Sequence, residues 1–101
     1  MTIEYIRYLL VEHEPAALIA AYEAARVHLD AAPECLGYDL AQCDDAPNSF
    51  VLRIEWTSAA AHMQGFRRGP HFPPFLAAIR EFVPEIAEMR HYTPRMVSGL
   101  R

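Results

Sequence analysis

Runs of apolar residues separated by turn residues predict four β-strands in this chain. Residues 2–11 form the first run, and its apolar side chains fall on both faces: Ile3, Tyr5, Leu9 and Val11 on one, and Ile6, Tyr8 and Leu10 on the other. A strand that is apolar on both faces belongs in the middle of a sheet that is covered on both sides. The first strand is therefore expected to be central.

Apolar residues at helical spacing predict two longer helices. The first covers residues 16–32 after Pro15, and its buried stripe comprises Leu18, Tyr22, Ala25 and Leu29. The second starts at Pro73-Pro74 and ends at Pro84, and its buried stripe comprises Phe75, Ile79 and Phe82. Ser58 is suited to cap a third, short helix, because its hydroxyl can accept a hydrogen bond from a free amide of the first turn.

Three more strands are predicted between and after these helices. They cover residues 36–44, 49–57 and 85–93, and the turn residues 44–48 join the first two as a hairpin. On the third strand one face carries Phe50, Leu52, Ile54 and Trp56, while Arg53 and Glu55 lie on the other. On the last strand His91 and Met89 share the face of Trp56.

The order strand, helix, strand, strand, helix, strand predicts one α+β domain over residues 1–101, with 94–101 as a tail. It is the ferredoxin-like βαββαβ arrangement, a four-stranded antiparallel sheet with helices on one face. The other sheet face then has no helical cover, although the first strand is apolar on both sides. We expect a homodimer in which two such faces pack together, each bearing Arg7, Arg53, Glu55 and Arg90.

Composition excludes several classes of function. Of 101 residues, 52% are hydrophobic and 22% charged, and the formal net charge is −4 without a long basic run. This charge argues against nucleic-acid and membrane binding, and the third strand lacks the basic and aromatic signature of RNA-recognition domains. No apolar stretch approaches a membrane span and no secretion signal is visible, so a cytoplasmic location is expected. Cys35 and Cys43 are too far apart along one strand for a disulfide and are expected to be free, mostly buried thiols.

Candidate chemistry concentrates in residues 50–72. The third strand ends at Trp56, the only tryptophan, and the short helix behind it carries His62. Imidazole titrates near neutral pH and could remove a phenolic proton, and Trp56 could stack on a flat substrate. A histidine bonded to backbone and a tryptophan that only fills the core are the alternatives.

A turn after the short helix adds further candidates for substrate binding. Arg67 and Arg68 could hold an anion, although such a pair is usually a solvated turn. We expect one apolar cavity of small-aromatic size between the sheet and the helices. Trp56, His62, Phe66, His71, Phe72 and His91 should approach it, and Tyr38 and Leu52 should contribute to its lining. No metal-ligand spacing, phosphate loop or nucleophile triad is recognisable, so neither a metal nor another cofactor is expected.

The motif W-T-S-x-x-x-H-x-x-x-F-R, followed by H-F and a helix, resembles the antibiotic biosynthesis monooxygenase family. The segments EYIRY, LRIEWTSAAAHMQGFR and IAEMRHY extend this resemblance over nearly the whole chain. Within the family, the chain looks most like small bacterial domains that are sometimes fused to truncated haemoglobins. Trp56 matches the family tryptophan, and His62 matches the histidine six residues later.

The resemblance implies a homodimer whose two sheets form a β-barrel, with a cavity in each subunit. It also implies oxidation of hydroxylated aromatic compounds by O₂ without flavin or metal, while relatives of similar fold degrade haem. Two positions depart from the family. Ile54 stands where an acidic residue is frequent, and the family's catalytic asparagine has no match, because the only asparagine is Asn48 in a turn.

Two functions therefore remain open on the sequence. The first is a cofactor-independent monooxygenase that oxidises a small quinol-like aromatic, with His62 as base and Trp56 beside the ring. The second is a non-catalytic domain of the same fold that binds a small aromatic or haem-like ligand.

Overall fold

A computed structural model describes all residues from 1 to 101. The strands are β1 (Thr2–Leu9), β2 (Cys35–Gln42), β3 (Ser49–Trp56) and β4 (Ile86–Tyr92). The helices are α1 (Pro15–Ala31), a π-helix (Ala61–Phe66), α2 (Phe72–Ile79) and a 3₁₀ helix (Arg80–Glu85). This order confirms the predicted βαββαβ arrangement.

The four strands form one antiparallel sheet in the order β2-β3-β1-β4. The predicted central position of β1 is confirmed, since it pairs with β3 on one side and β4 on the other. Register places Thr2 opposite Trp56, and Glu4 between Ile54 of β3 and His91 of β4. The predicted sharing of one face by Trp56, Met89 and His91 follows from this register.

All helices cover the same face of the sheet, and the core lies between them. The predicted stripe of α1 is buried in full, and so is the stripe of Phe75, Ile79 and Phe82. They pack against the β3 face that carries Phe50, Leu52, Ile54 and Trp56. None of the helices is long and apolar enough to cross a membrane.

Some strand and helix ends differ from the prediction, because side chains form the hydrogen bonds of the backbone or prevent them. β1 stops at Leu9 and leaves Val11 exposed, because the amides of Val11 and Glu12 donate to the Glu85 carboxylate. Glu85 consequently precedes β4 instead of starting it. The helix predicted to run to Pro84 tightens into the 3₁₀ helix at Arg80, since proline cannot donate an interior helical hydrogen bond.

The cysteines are free, as predicted, but only in part buried. Cys35 is half-buried at the start of β2, whereas Cys43 is exposed just beyond the end of that strand. The prediction of two mostly buried thiols is therefore wrong for Cys43, because β2 ends at Gln42 and the turn that follows lies on the surface.

Glu85 ties the end of β1 to the start of β4, and its removal should weaken the fold in a pH-dependent way. Burial alone would raise the pKa of Glu85, but hydrogen bonds from the Val11 and Glu12 amides and from His13 lower it to about 2. A depressed pKa stabilises the folded state above the unfolded value near 4.5, and this contribution is lost as the pH falls towards 2. Urea denaturation should therefore show Glu85→Gln less stable than the parent at pH 7.

The same experiment at pH 3 provides the control for this prediction. The difference in free energy of unfolding between Glu85→Gln and the parent should become smaller between pH 4.5 and pH 2, because the carboxylate becomes protonated in both the folded and the unfolded state. If this difference in free energy of unfolding stayed the same over the range, the stabilisation could not be assigned to the charge of Glu85.

The face of the sheet opposite the helices is open. Tyr5 and Tyr92 meet edge to face at 5.3 Å between ring centroids, and Ile3 beside them is buried. Of the charged residues predicted for this face, Arg53 pairs with Glu55 at 3.3 Å and Arg90 pairs with Glu88 at 3.4 Å, each within its own strand, while Arg7 is exposed and forms no ion pair. The face is thus a mixture of aromatic rings, paired charges and one unpaired arginine.

Candidate active site

A cavity of about 260 Å³ lies between the helix-covered face of the sheet and α2. Thirteen of its sixteen lining residues are hydrophobic, and its polar groups come mainly from Glu4, His62, Arg67 and the tyrosines Tyr8 and Tyr22. Such a cavity suits a small flat molecule that is mostly apolar and carries a few oxygens. The structure places Trp56, His62, Phe66, Arg67 and Phe72 in the lining, as the sequence predicts.

Trp56 is fully buried where β3 ends, and one face of its ring is already occupied. The imidazole of His62 stacks on the indole, with the ring centroids 4.5 Å apart and the planes inclined by 11°. Phe66 packs against the indole as well, at 4.9 Å. Trp56 therefore holds the histidine in place, and the indole face on which His62 stacks is not available to a substrate.

Glu4 is the site residue that the sequence reading missed. Its side chain is 2% exposed, and Trp56 Nε1 donates a hydrogen bond to Glu4 Oε1 at 3.2 Å. The second oxygen, Oε2, is buried without a partner. Burial raises the pKa of the Glu4 carboxyl, and the Trp56 hydrogen bond and the charges of His91 and Arg67 offset this only in part.

A signal for Glu4 was present in the alternation of the first strand. Because alternate residues of a strand share a face, Glu4 lies on the face of Ile6 and Tyr8, which is the face directed at the helices. A carboxylate on a core face is uncommon and marks a candidate functional group.

The two ring nitrogens of His62 face two different residues. Nδ1 lies 2.7 Å from Nε2 of His91, within hydrogen-bond distance, and Nε2 lies 3.6 Å from Oε1 of Glu4. Burial, followed by the positive charges of Arg67 and His91, lowers the pKa of His62 to about 4. The imidazole is therefore neutral at pH 7, and one of its nitrogens is free to accept a proton.

The π-helix and the turn after it position this histidine and the neighbouring phenylalanines. The Ser58 hydroxyl accepts a hydrogen bond from the Ala61 amide at 2.9 Å, which confirms its predicted capping role. At the other end the chain turns tightly, since a Cβ on Gly69 would lie 2.6 Å from the Gly65 carbonyl oxygen. This glycine lets the chain reverse and bring Phe72 against Phe66 at 5.7 Å.

Glu4, His62 and His91 are also the residues that could hold a metal ion. Their ligand atoms lie within 4.8 Å of one another. His62 faces Glu4 with Nε2 and His91 with Nδ1, so its two nitrogens contact different partners. This arrangement also suits the transfer of a proton through the imidazole ring.

Arg67 supplies the cationic group of the cavity. It takes part in no ion pair, and the only hydrogen bond of its side chain goes to the weak acceptor Met89 Sδ at 3.8 Å. Its guanidinium lies 5.6 Å from the centroid of the Phe72 ring. A half-buried arginine with so few partners is suited to bind an anion that enters from solution.

Five residues predicted for the cavity lie outside its lining. Arg68 is exposed in the turn that follows the π-helix. His71 is half-buried at the start of α2 and does not reach the cavity. Tyr38 and Leu52 share the correct sheet face but line a second groove of about 350 Å³, towards the far end of β3.

His91 is a predicted residue with a different place from the one expected. It lies on the exposed strand β4 and does not line the cavity, but its imidazole contacts His62 from the solvent side. His91 thus connects the buried histidine with the surface.

The far end of the cavity carries two buried tyrosines. The hydroxyls of Tyr8 and Tyr22 form a hydrogen bond of 2.5 Å. Burial raises the pKa of both, to about 12 for Tyr8. Both hydroxyls therefore stay protonated at neutral pH and mark a polar point within an apolar wall.

Comparison with known proteins places this geometry in a family. The family model described as antibiotic biosynthesis monooxygenase matches residues 6–78. A search of curated proteins gives no match. Many solved structures share the fold.

Three of these structures illustrate the likeness. A protein assigned to the antibiotic biosynthesis monooxygenases of Bordetella bronchiseptica is 23% identical with a TM-score of 0.78, over 94% of this chain and 97% of that one. SnoaB, a cofactor-independent oxygenase of Streptomyces nogalater, is 20% identical with a TM-score of 0.70, over 95% of each chain. Rv0793 of Mycobacterium tuberculosis is 22% identical with a TM-score of 0.72, over 97% of this chain and 98% of its own.

At these identities the structural likeness establishes the fold, while the family match covers well over half of the chain. The chain belongs to the antibiotic biosynthesis monooxygenase family.

Proposed function

We propose that the protein is a cofactor-independent monooxygenase that oxidises a small hydroxylated aromatic with O₂. One observation carries this proposal: a neutral buried imidazole and an arginine without an ion pair line the same apolar cavity. The imidazole can take a phenolic proton, and the arginine can stabilise the resulting anion. The family match and the fold shared with SnoaB support the same chemistry.

The reaction starts with the proton of the substrate hydroxyl. His62 accepts it at Nε2, and the phenolate oxygen is stabilised by the Arg67 guanidinium. A phenolate gives up an electron to O₂ far more readily than a phenol does. The aryloxyl radical and superoxide so formed combine at a ring carbon to give a hydroperoxide. Loss of water then leaves a quinone, so that phenol and O₂ are converted into quinone and one water.

The remaining residues position these two groups. Trp56 stacks on His62 and binds Glu4, which fixes the imidazole orientation from two sides. Phe66 forms edge-to-face contacts with Phe72 at 5.7 Å and with Phe75 at 5.6 Å, and the three rings give the aromatic wall on which a substrate ring can rest. In this arrangement the substrate provides every electron that O₂ receives.

Oxygen consumption tests the proposal. Protein freed of flavin and metal by dialysis against chelator should take up O₂ when mixed with members of a panel of hydroquinones and naphthols. Binding of these compounds, seen as quenching of Trp56 fluorescence, without any O₂ uptake would overturn the oxygenase. That result would favour the second function, a domain that binds a small aromatic or haem-like ligand in the same cavity.

The open sheet face supports a second proposal, that two copies pair through it as a homodimer. Tyr5, Val51 and Tyr92 give this face an apolar part, and Arg53 and Glu55 pair with each other. Light scattering at micromolar concentration should give twice the 11.5 kDa mass of the chain. Val51→Glu puts a charge at the middle of the face and should shift the mass to that of the monomer.

A matched substitution on the opposite side of the molecule controls for the added charge. Val27 lies on α1 and is 57% exposed, so Val27→Glu should leave the dimer intact. A mass of one chain for the parent protein, or equal masses for the two variants, would contradict an interface on the open face.

A further inference from the structure

We propose that His91 is the outer member of a two-histidine proton relay, through which His62 passes the substrate proton from the cavity to the protein surface. This inference deepens the proposed oxidation and rests on it for the choice of substrate. It assigns a role to a residue that neither lines the cavity nor contacts a bound ring.

The relay follows from where the two imidazoles lie. His62 is 2% exposed and lines the cavity, whereas His91 is exposed on β4. Their nitrogens approach to 2.7 Å, and the ring centroids are 4.9 Å apart. The contact therefore joins the interior of the cavity to solvent through a single hydrogen bond.

A lone histidine at position 62 would be a poor base. Burial and the nearby Arg67 charge disfavour its imidazolium, so a proton that stayed on His62 would be held against an unfavourable balance. A relay avoids this cost, because His62 can accept a proton at one nitrogen while it releases another from the opposite nitrogen. The positive charge then arises on His91, where water solvates it.

The proton transfers balance as follows. The O–H bond of the substrate breaks and an N–H bond forms at His62 Nε2. The N–H bond at His62 Nδ1 breaks and one forms at His91 Nε2. When O₂ has added to the ring, the peroxide anion takes the proton from His62 Nε2, and His91 returns its proton to His62 Nδ1. Both histidines end as they began.

One of the charged groups around the relay sets its direction. Glu4 of β1 lies beside both histidines, 3.6 Å from His62 Nε2 and directly across the strand pair from His91. Arg67 stands at the end of the π-helix and opposes a positive charge on His62. Trp56 of β3 contributes no charge. Glu4 lies beside both histidines and sets no direction, whereas the Arg67 charge favours movement of the proton outward, from His62 to the exposed imidazole.

Anaerobic stopped-flow absorbance can measure this transfer without any oxidation. Mixing the protein with 1-naphthol at neutral pH should give the absorbance of bound naphtholate, and His91→Ala should slow its appearance at least tenfold. Imidazoles of similar size but different pKa, added to His91→Ala, should restore the rate in proportion to their basicity. His28→Ala, on α1 and outside the cavity lining, is the matched control and should behave as the parent.

The outcomes separate the relay from the proposed oxidation. An unchanged naphtholate rate in His91→Ala, a slow rate that no imidazole restores, or no naphtholate in the parent would each overturn the relay. The oxidation is judged separately by O₂ uptake in air. Naphtholate that forms through His91 without O₂ uptake would support the relay and overturn the oxygenase. O₂ uptake without naphtholate formation through His91 would support the oxygenase and overturn the relay.

Discussion

His62→Gln should lower kcat for oxidation of the best phenolic substrate by about 10²–10⁴-fold, the usual contribution of a positioned acid or base. Glutamine has a similar length and can still make a hydrogen bond, but its amide cannot accept the substrate proton. Since the imidazole also stacks on Trp56, some loss of packing will accompany the loss of the base. Steady-state O₂ uptake with saturating substrate measures the change.

Two controls make the effect on kcat specific. Substrate binding, read from Trp56 fluorescence, should change far less than kcat, because the cavity wall is built from phenylalanines. Naphthols of lower pKa should be less affected by His62→Gln, because they ionise without help from a base. A loss of binding equal to the loss of kcat would show that His62 holds the substrate and does not act on its proton.

Trp56→Ala should destabilise the fold by about 3–5 kcal/mol, the usual cost of removing a large buried aromatic ring. Total stabilities of small domains are about 5–15 kcal/mol, so this variant should be near the limit of folding. The indole is fully buried and contacts His62 and Phe66, and the vacated volume adjoins a cavity that already exists. Urea denaturation followed by circular dichroism measures the loss.

Trp56→Phe separates the packing of the indole from its hydrogen bond. Phenylalanine keeps a ring against His62 but leaves Glu4 Oε1 without its donor, when Oε2 already has none. The variant should therefore be less stable than the parent at pH 7, and adding Glu4→Gln should recover part of the loss. Equal effects of Trp56→Phe with and without Glu4→Gln would contradict the coupling between the two residues.

The fold could be predicted because its determinants are local. Prolines mark the helix starts, the stripe of α1 follows a period of 3.6, and the strands alternate with a period of two. The Trp56–His62 pair was predictable too, since a strand followed by a capped turn places them within one short segment. Their stacking and their burial were not predictable, because both depend on how the π-helix packs on the sheet.

The site depended on contacts between distant parts of the chain, which local patterns do not give. Glu4 enters through the pairing of β1 with β3, and His91 through the pairing of β1 with β4. Leu52 was assigned to the cavity because it shares a face with Trp56. The face was right, but four residues along a strand span roughly 13 Å, which carries Leu52 to the other groove.

The central claim is that this cavity adds an atom of O₂ to a phenol with no cofactor. Mass spectrometry of the product formed under ¹⁸O₂ by flavin-free and metal-free protein tests it most directly. The account predicts a quinone that carries one ¹⁸O atom, formed in amounts that fall with His62→Gln. A bound phenol that is recovered unchanged, or a quinone without ¹⁸O, would contradict it.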